Sequence, residues 1–463
     1  GNVFEYFRHK SLNVKNFFEK SKPDFERHQF GASLGGPVRT DRTHFFGAIE
    51  RTQTDEFFTV NTGRPDLYSA VEGTFPQPRR VTLWSARVDH AISQVQSLFA
   101  RYAQEDERTV CAGATCGGRN AANAGYDMEI PRRAIVTGHT WILSDRLLSD
   151  FRFQYAFAAY QIAPVGKKVF KEVGEYPPER VGPDRVQRRF TFPSLVYGGN
   201  YEALGPEKRW QFKEVISWYV PDWGGSHDWK FGVDYSYIWF ADDSQVNLNG
   251  TYQFGTDQYF NPNDPVSVVN LRNPILFTMV FPPSYVPLPT HHYAWFVQDD
   301  WKPMSRLTVN LGLRYDRQIG SFNEDIDTGR FPIPIPFIDT STRGDKNNFG
   351  PRLGFAYDVE GTGESVLRGG YGLYYDNIRT LQNQYEWLNM QRYDVRISNP
   401  PYPDPFLGRD PVQFISTTPP NIQILSNRFV TPYSQQFNLG YTRQLTDDLA
   451  VHVDGVYTRV LRD

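Results

Sequence analysis

The sequence lacks any run of about 18 apolar residues, the least a membrane-crossing helix needs, and its mean hydropathy is −0.53. A transmembrane helix is excluded on that ground. A transmembrane strand is not, because it turns only every second residue to lipid and keeps a low average hydropathy. Methionine is scarce, 4 in 463 residues, which argues against a helical core rich in Leu and Met. Charge of one sign is missing too. The net charge is −3 and the pI about 6.4, so there is no basic field of the kind that attracts nucleic acid. There is no initiating Met and no secretory leader. Gly1 runs straight into Val3-Phe4-Glu5-Tyr6-Phe7-Arg8, and the chain stops at Arg462-Asp463 just after another strand-like run. The expectation is one domain over 1–463 that is a piece of a longer chain, with a plug domain and C-terminal strands lying outside it.

What is abundant is aromatic. There are 35 Phe, 27 Tyr and 10 Trp, 16% of the chain, beside 37 Gly, and this surplus favours sheet. Runs with period-two alternation come in pairs joined by very short turns: 28–38 with 43–58, 81–90 with 94–108, 134–143 with 147–162, 209–220 with 229–242, 291–302 with 306–317, 348–358 with 365–376, and 433–445 with 449–460. The turns carry suitable residues, among them Thr40-Asp41-Arg42, Ser144-Asp145-Arg146, Pro303-Met304-Ser305 and Thr446-Asp447-Asp448. The connections between pairs are far longer.

Each clear strand has an oily side and a polar side, because neighbouring side chains point to opposite faces. Leu307, Val309, Leu311, Leu313 and Tyr315 oppose Thr308, Asn310, Gly312, Arg314 and Asp316. Phe151, Phe153, Tyr155 and Phe157 oppose Asp150, Arg152, Gln154 and Ala156. Segments 43–58, 134–143 and 209–220 alternate less cleanly, and Glu214 falls in register with Phe212 and Ile216. Soluble strands average about 5–6 residues, whereas many of these reach the roughly 9–11 that cross a bilayer at a tilt. No amphipathic helix or second strand set is evident to cover the oily sides. The pattern therefore predicts part of an all-β, antiparallel transmembrane β-barrel, about 15 or 16 strands of it, with short periplasmic turns and long extracellular loops. Tyr293, Trp295, Trp301, Tyr315, Tyr374, Tyr375, Tyr433 and Tyr457 gather near strand ends, where aromatic girdles are expected.

Candidate chemistry is sparse. Cys111 and Cys116, the only cysteines, lie in the connection 109–133, on the side the topology places outside the cell. One local disulfide is expected there, since two thiols without further ligands make a poor zinc site. His291-His292 stand at the start of a predicted strand, where consecutive residues diverge and would not share a metal. Ser226-His227-Asp228 has the residue types of a hydrolytic triad, but a triad converges from separate elements, and the segment reads as a turn. Gly361-Thr362-Gly363-Glu364-Ser365 lacks the Lys and helix of a phosphate loop. Arg343-Gly344-Asp345 would be an adhesion motif elsewhere, but in a loop the triplet is more often chance. No nucleophile–base pair emerges, so no enzyme and no cofactor is expected. The polar strand faces place Arg87, Arg152, Arg314, Asp316, Arg352 and Arg368 toward the lumen, as lining or substrate-binding candidates. The loops 163–208, 243–290 and 377–432, rich in Tyr, Pro, Asn and Asp, are expected to make first contact with a ligand.

Several stretches resemble TonB-dependent outer-membrane transporters, and most closely the Oar-like subgroup with an N-terminal carboxypeptidase-regulatory-like domain. They are Asn16-Phe17-Phe18, the run Arg27 to Pro37, Phe45-Phe46-Gly47, Ser85 to His90, Lys230 to Tyr235, Phe296 to Trp301, Leu307 to Asp316, and Asn399-Pro400-Pro401-Tyr402-Pro403. The resemblance implies a barrel of about 22 strands filled by an N-terminal plug, in the bacterial outer membrane. It implies a TonB complex that pulls on a box ahead of the plug. Neither plug nor TonB box is in this sequence, so no energy-coupling residue is carried over. The function expected is uptake of a large nutrient: a siderophore, cobalamin, an oligosaccharide or a peptide. A passive outer-membrane porin and a surface adhesion barrel are the alternatives.

Overall fold

The computed structural model describes residues 1–15, 22–165, 187–281, 285–326, 338–378, 380–391, 393–415 and 424–461. Asn16-Phe17-Phe18 and parts of the loops 163–208, 243–290 and 377–432 lie outside them. Fifteen strands form one sheet in chain order, each antiparallel to the next. They are Asn2–His9, Glu26–Arg39, Thr43–Asp55, Arg79–Ala91, Gln96–Thr109, Tyr126–Ser144, Leu147–Pro164, Tyr201–Val220, Ser226–Val246, Tyr285–Met304, Leu307–Ile319, Asn348–Asp358, Ser365–Tyr375, Tyr433–Thr446 and Leu449–Leu461. The first and last carry a ladder on one side only among the described residues. No described helix is long and apolar enough to cross a membrane, which says nothing about strands.

The registers carry one face continuously across the sheet. Ile49 pairs with Trp84, Tyr102 with Ile135, Ile135 with Tyr155, Tyr155 with Trp210 and Trp210 with Tyr237. Farther on, Trp295 pairs with Tyr315, Leu311 with Leu353, Tyr371 with Phe437, and Tyr441 with Val453. Leu353, Val233, Leu439 and Val453 on this face are each more than half exposed. Apolar side chains in such number on an exposed face are stable against lipid hydrocarbon, not water. Two aromatic levels bound the band. Trp218, Trp229 and Trp301 lie near the short turns; Tyr155, Trp210 and Tyr237 lie higher. Trp229 to Tyr237 is about 26 Å along one strand at roughly 3.3 Å per residue, or about 20 Å of height at a tilt of roughly 40°, most of the apolar belt of such barrels. Tyr374 does not join the girdle. It is one residue out of phase, on the polar face, where the Arg352 guanidinium lies 4.5 Å from its ring centroid.

Several strands are longer than the alternation predicted. Tyr126–Ser144, Tyr201–Val220, Ser226–Val246 and Tyr285–Met304 have 19, 20, 21 and 20 residues. Their extra turns of pleat stand outside the membrane, where both faces meet protein or water and hydrophobic alternation is no longer required. Conversely, 43–58 ends at Asp55, and Phe57–Val60 pairs instead with Gly73–Pro76. Ser226-His227-Asp228 is not a turn but the start of a strand. His227 is buried on the outward face, between the rings of Trp229 and Trp301, with Nδ1 2.7 Å from Asp299 Oδ2 and Nε2 2.8 Å from the Trp223 carbonyl. His291-His292 likewise lie inside Tyr285–Met304 and face opposite ways. Glu214 keeps its place on the oily face by accepting from Ser149 Oγ at 2.6 Å.

A second strand set exists after all. It does not cover the oily faces; it sits at the long-loop end. Val196–Tyr197, Arg189–Thr191, Thr251–Phe254, Pro274–Phe281 and Tyr393–Ser398 form a five-stranded sheet from three connections. With Tyr68 and Val71 from a fourth connection and Ala121 and Ala124 from a fifth, it encloses a core of Phe192, Leu195, Tyr252, Phe254, Phe260, Phe277 and Phe406. Five of the connections therefore fold together as one cap. Cys111 and Cys116 are joined as a disulfide within it, Cα atoms 5.8 Å apart.

Candidate functional site

The polar face of the sheet holds all six basic and acidic residues singled out from the sequence, but apart from Arg314 with Asp316 it does not bring them together. Five of them form local ion pairs, and Arg352 lies on the Tyr374 ring instead. Arg87 donates to both oxygens of Asp89 at 2.8 and 2.6 Å, and its guanidinium lies 4.4 Å from the Phe99 ring centroid. Arg152 donates to Asp150 at 2.9 and 3.2 Å. Arg314 makes three bonds of 2.8–3.0 Å to Asp316. In each case the partners are two apart on one strand, so they share a face. Arg368 instead reaches across strands to Asp454 at 2.8 and 3.0 Å.

Of these, Arg314 and Asp316 line a half-open cavity. A cavity of about 620 Å³ lies on the polar face of the four strands Tyr201–Val220 to Leu307–Ile319. Its wall adds Glu207, Arg209, Gln211, Asp234, Ser236, Thr290 and His292, with Tyr160 and Phe240 higher up. The sequence does not single these out: 209–220 is one of three segments that alternate poorly, and 201–208 falls within the loop read over 163–208. The parity of Arg209, Gln211 and Lys213 against Trp210 and Phe212 was the available signal. Tyr160 is placed by a glycine: a Cβ at its ladder partner Gly205 would lie 2.1 Å from the ring. The ring lies flat across that gap and its hydroxyl donates to Asp242.

The roof comes from the connection 376–432. Asn377, Ile378 and Gln384 border the cavity from above, and the helix Thr380–Gln391 packs Leu388 against Phe240, Val286 and Leu288. A fully buried ion pair fixes this helix. Arg343 donates to both oxygens of Glu386 at 2.9 and 2.7 Å and to the Leu425 carbonyl at 2.8 Å, while Asn323 donates to Glu386 at 2.6 Å. Asp345 is buried as well and accepts from the Thr431 amide at 3.0 Å. Neither charge of Arg343-Gly344-Asp345 is displayed to solvent.

In the cap, Asp257 ties three connections together. It accepts from Tyr68 Oη at 2.9 Å, from the Ser194 amide at 2.9 Å and from Ser194 Oγ at 2.7 Å. Burial pushes its carboxyl up, but the bonds from Ser194 and Tyr68 outweigh this and hold it below the usual carboxylate range. Burial, reinforced by the bond to Asp257, pushes the Tyr68 hydroxyl well above its ordinary value. Among the described residues no group of three or more His, Cys, Asp or Glu is placed to hold a metal ion.

An all-β wall with an oily outside, a polar inside, short turns at one end and a loop cap at the other defines an outer-membrane barrel protein. The outer membrane β-barrel domain family matches residues 1–75 and 59–459. The chain belongs to that family, and the bacterial outer membrane is its location. Among solved structures it is similar to the outer membrane transporter YddB from Escherichia coli, at 12% identity and a TM-score of 0.62, over 94% of this chain and 47% of that one. It is also similar to the siderophore receptor PirA from Acinetobacter baumannii, at 12% identity and a TM-score of 0.53, over 99% and 52%. A mutant of the ferric enterobactin receptor PfeA from Pseudomonas aeruginosa matches at 12% identity and a TM-score of 0.54, over 99% and 53%. At these identities the likeness is one of fold. The chain spans about half the length of these structures. No curated protein sequence matches it.

Proposed function

We propose that this chain is the barrel wall and loop cap of a TonB-dependent receptor that takes up a nutrient too large for passive diffusion. The supporting observation is the cap: five connections share one apolar core above the wall, and one of them lowers a helix over a polar cavity of about 620 Å³. A passive porin keeps its channel open to solvent; packed loops over a roofed cavity suit capture followed by gated release. The fold likeness to a transporter and to siderophore receptors supports the same reading. So do the strand signatures shared with TonB-dependent transporters. In this reading a plug and a TonB box belong to the same protein, and Arg314 and Asp316 are among the residues that receive the ligand. Adhesion is the weaker alternative, because Arg343 and Asp345 are both buried.

The test is growth of a deletion strain on limiting iron chelates, cobalamin, oligosaccharides and peptides as sole sources, with and without an uncoupler. Active uptake predicts loss of one nutrient on deletion and sensitivity of that uptake to the uncoupler. Uptake that persists in uncoupled cells would identify a passive pore.

A further inference from the structure

The cavity under the roof helix carries more acid than base on the side chains that face it. Glu207, Asp234 and Asp316 supply three carboxylates there, against the guanidiniums of Arg209 and Arg314. Arg317 also borders the cavity, but it is the ladder partner of Tyr293, whose side chain stands on the outward face. Both inward guanidiniums are committed. Arg209 donates to Glu207 at 3.2 Å, and Arg314 donates to both oxygens of Asp316.

Asp234 is different. Among the described residues its oxygens accept from the Gln211 amide, at 3.0 and 3.2 Å, and a neutral donor leaves the charge uncancelled. Lys213 is its ladder partner and faces the same lumen, but it does not line the cavity and no ion pair joins the two among the described residues. Higher on the same strand face, Asp242 accepts from Tyr160 and from Ser244 Oγ at 2.9 Å. A carboxylate that no cation bonds attracts an ammonium, because the hydrogen bond between them is charge-assisted. The same excess of acid repels a polyanion.

We infer that this cavity takes an amine-bearing ligand, a short cationic peptide whose ammonium is held by Asp234. The inference rests on the uptake reading above and names its substrate class. A volume of about 620 Å³ lies within the range of about 300–1,000 Å³ usual for small-molecule sites.

The full-length protein, purified from outer membranes in detergent, is titrated calorimetrically with Lys-Gly-Gly amide and separately with a trianionic ferric triscatecholate. The peptide is expected to bind at least about tenfold tighter than the catecholate, and Asp234→Asn to weaken the peptide by about tenfold. The asparagine can still accept from Gln211 through its amide oxygen, and Asp234→Glu, which keeps the charge, retains peptide binding. Catecholate binding as tight as peptide binding overturns the inference. So does peptide binding that Asp234→Asn leaves unchanged. If the peptide binds through Asp234 in detergent but intact cells do not accumulate it, the uptake reading fails while the preference for an amine stands.

Discussion

Leu311→Arg tests the claim that the oily faces touch lipid. Leu311 lies on the outward face, pairs with Leu353 and is 40% exposed. It is four residues above Leu307, where the strand leaves its turn. That is about 13 Å along a tilted strand at roughly 3.3 Å per residue, near the middle of the apolar belt. Arginine at the midplane on the lipid face costs about 2–4 kcal/mol. At 1.4 kcal/mol per decade, that is about a 30- to 700-fold loss in the folding equilibrium. Gln298→Arg is the matched control. Gln298 is the ladder partner of Gly312 on the polar face, and Asp300 two residues along that face can receive the new charge. Its expected effect is below about 0.5 kcal/mol. Both variants of the full-length protein are refolded into lipid vesicles and unfolded in guanidinium, with tryptophan fluorescence as the readout. Equal costs for the two variants, or a larger cost for Gln298→Arg, would refute the assignment of faces and with it the barrel.

Four further outcomes follow from the cap and its roof. Removing one partner of a fully buried ion pair costs about 3–5 kcal/mol. Glu386→Ala is therefore expected to speed hydrogen exchange in the helix Thr380–Gln391 by more than about a hundredfold, with the ladders beneath unaffected. Tyr252→Ala empties the centre of the aromatic cap core, at an expected cost of about 3–5 kcal/mol, read as protease cleavage of the loops with the barrel still heat-modifiable on gels. Reduction of Cys111–Cys116 releases a loop with a sequence separation of 5, worth about 2 kcal/mol by loop entropy; exchange should rise locally around 109–126 and nowhere in the sheet. The Asp257 carboxyl is depressed in the folded protein, so its contribution is complete above the ordinary aspartate value near 3.9 and is lost as pH falls through the folded value. Cap protease resistance should drop only below about pH 4, and Asp257→Asn should remove that step.

How much could be read without coordinates follows the physics of each layer. Within the membrane, lipid on one side and lumen on the other force strict alternation, and the faces assigned to Leu307–Asp316 and Phe151–Phe157 stand as read. Above the membrane that pressure ends. The pleat of Tyr201–Val220 and Ser226–Val246 continues for many residues beyond the belt, with Pro206 inside a strand and Asp242 and Asp243 side by side, and nothing periodic marks it. The cap strands are 2–8 residues long, too short for a period to show, and their partners come from distant connections. Phe192, Tyr252, Phe277 and Phe406 acquire their neighbours only when five connections meet. Tyr374 shows the opposite error: near a strand end an aromatic was assigned to the girdle by position, although one step of parity from Tyr375 already put it in the lumen.

The lumen face has its own rule, visible in Arg87-Val88-Asp89, Asp150-Phe151-Arg152, Glu207-Lys208-Arg209 and Arg314-Tyr315-Asp316. An acid and an arginine two apart on one strand neutralise each other without help from a neighbouring strand. Such a wall is wet and polar, yet nearly free of net field, and each pair contributes little to stability because it is half-exposed. It would let ligands of either charge slide past. Selectivity must then come from groups that break the rule, and Asp234 does so on the cavity wall, with Gly232 at one i±2 position and Ser236 at the other. Placing an arginine at Ser236 would restore the pairing without adding an apolar group or touching the outward face. Ser236→Arg should therefore abolish binding of a lysine peptide while leaving the guanidinium midpoint of the barrel unchanged. A variant that still bound the peptide would show that charge at Asp234 is not what selects.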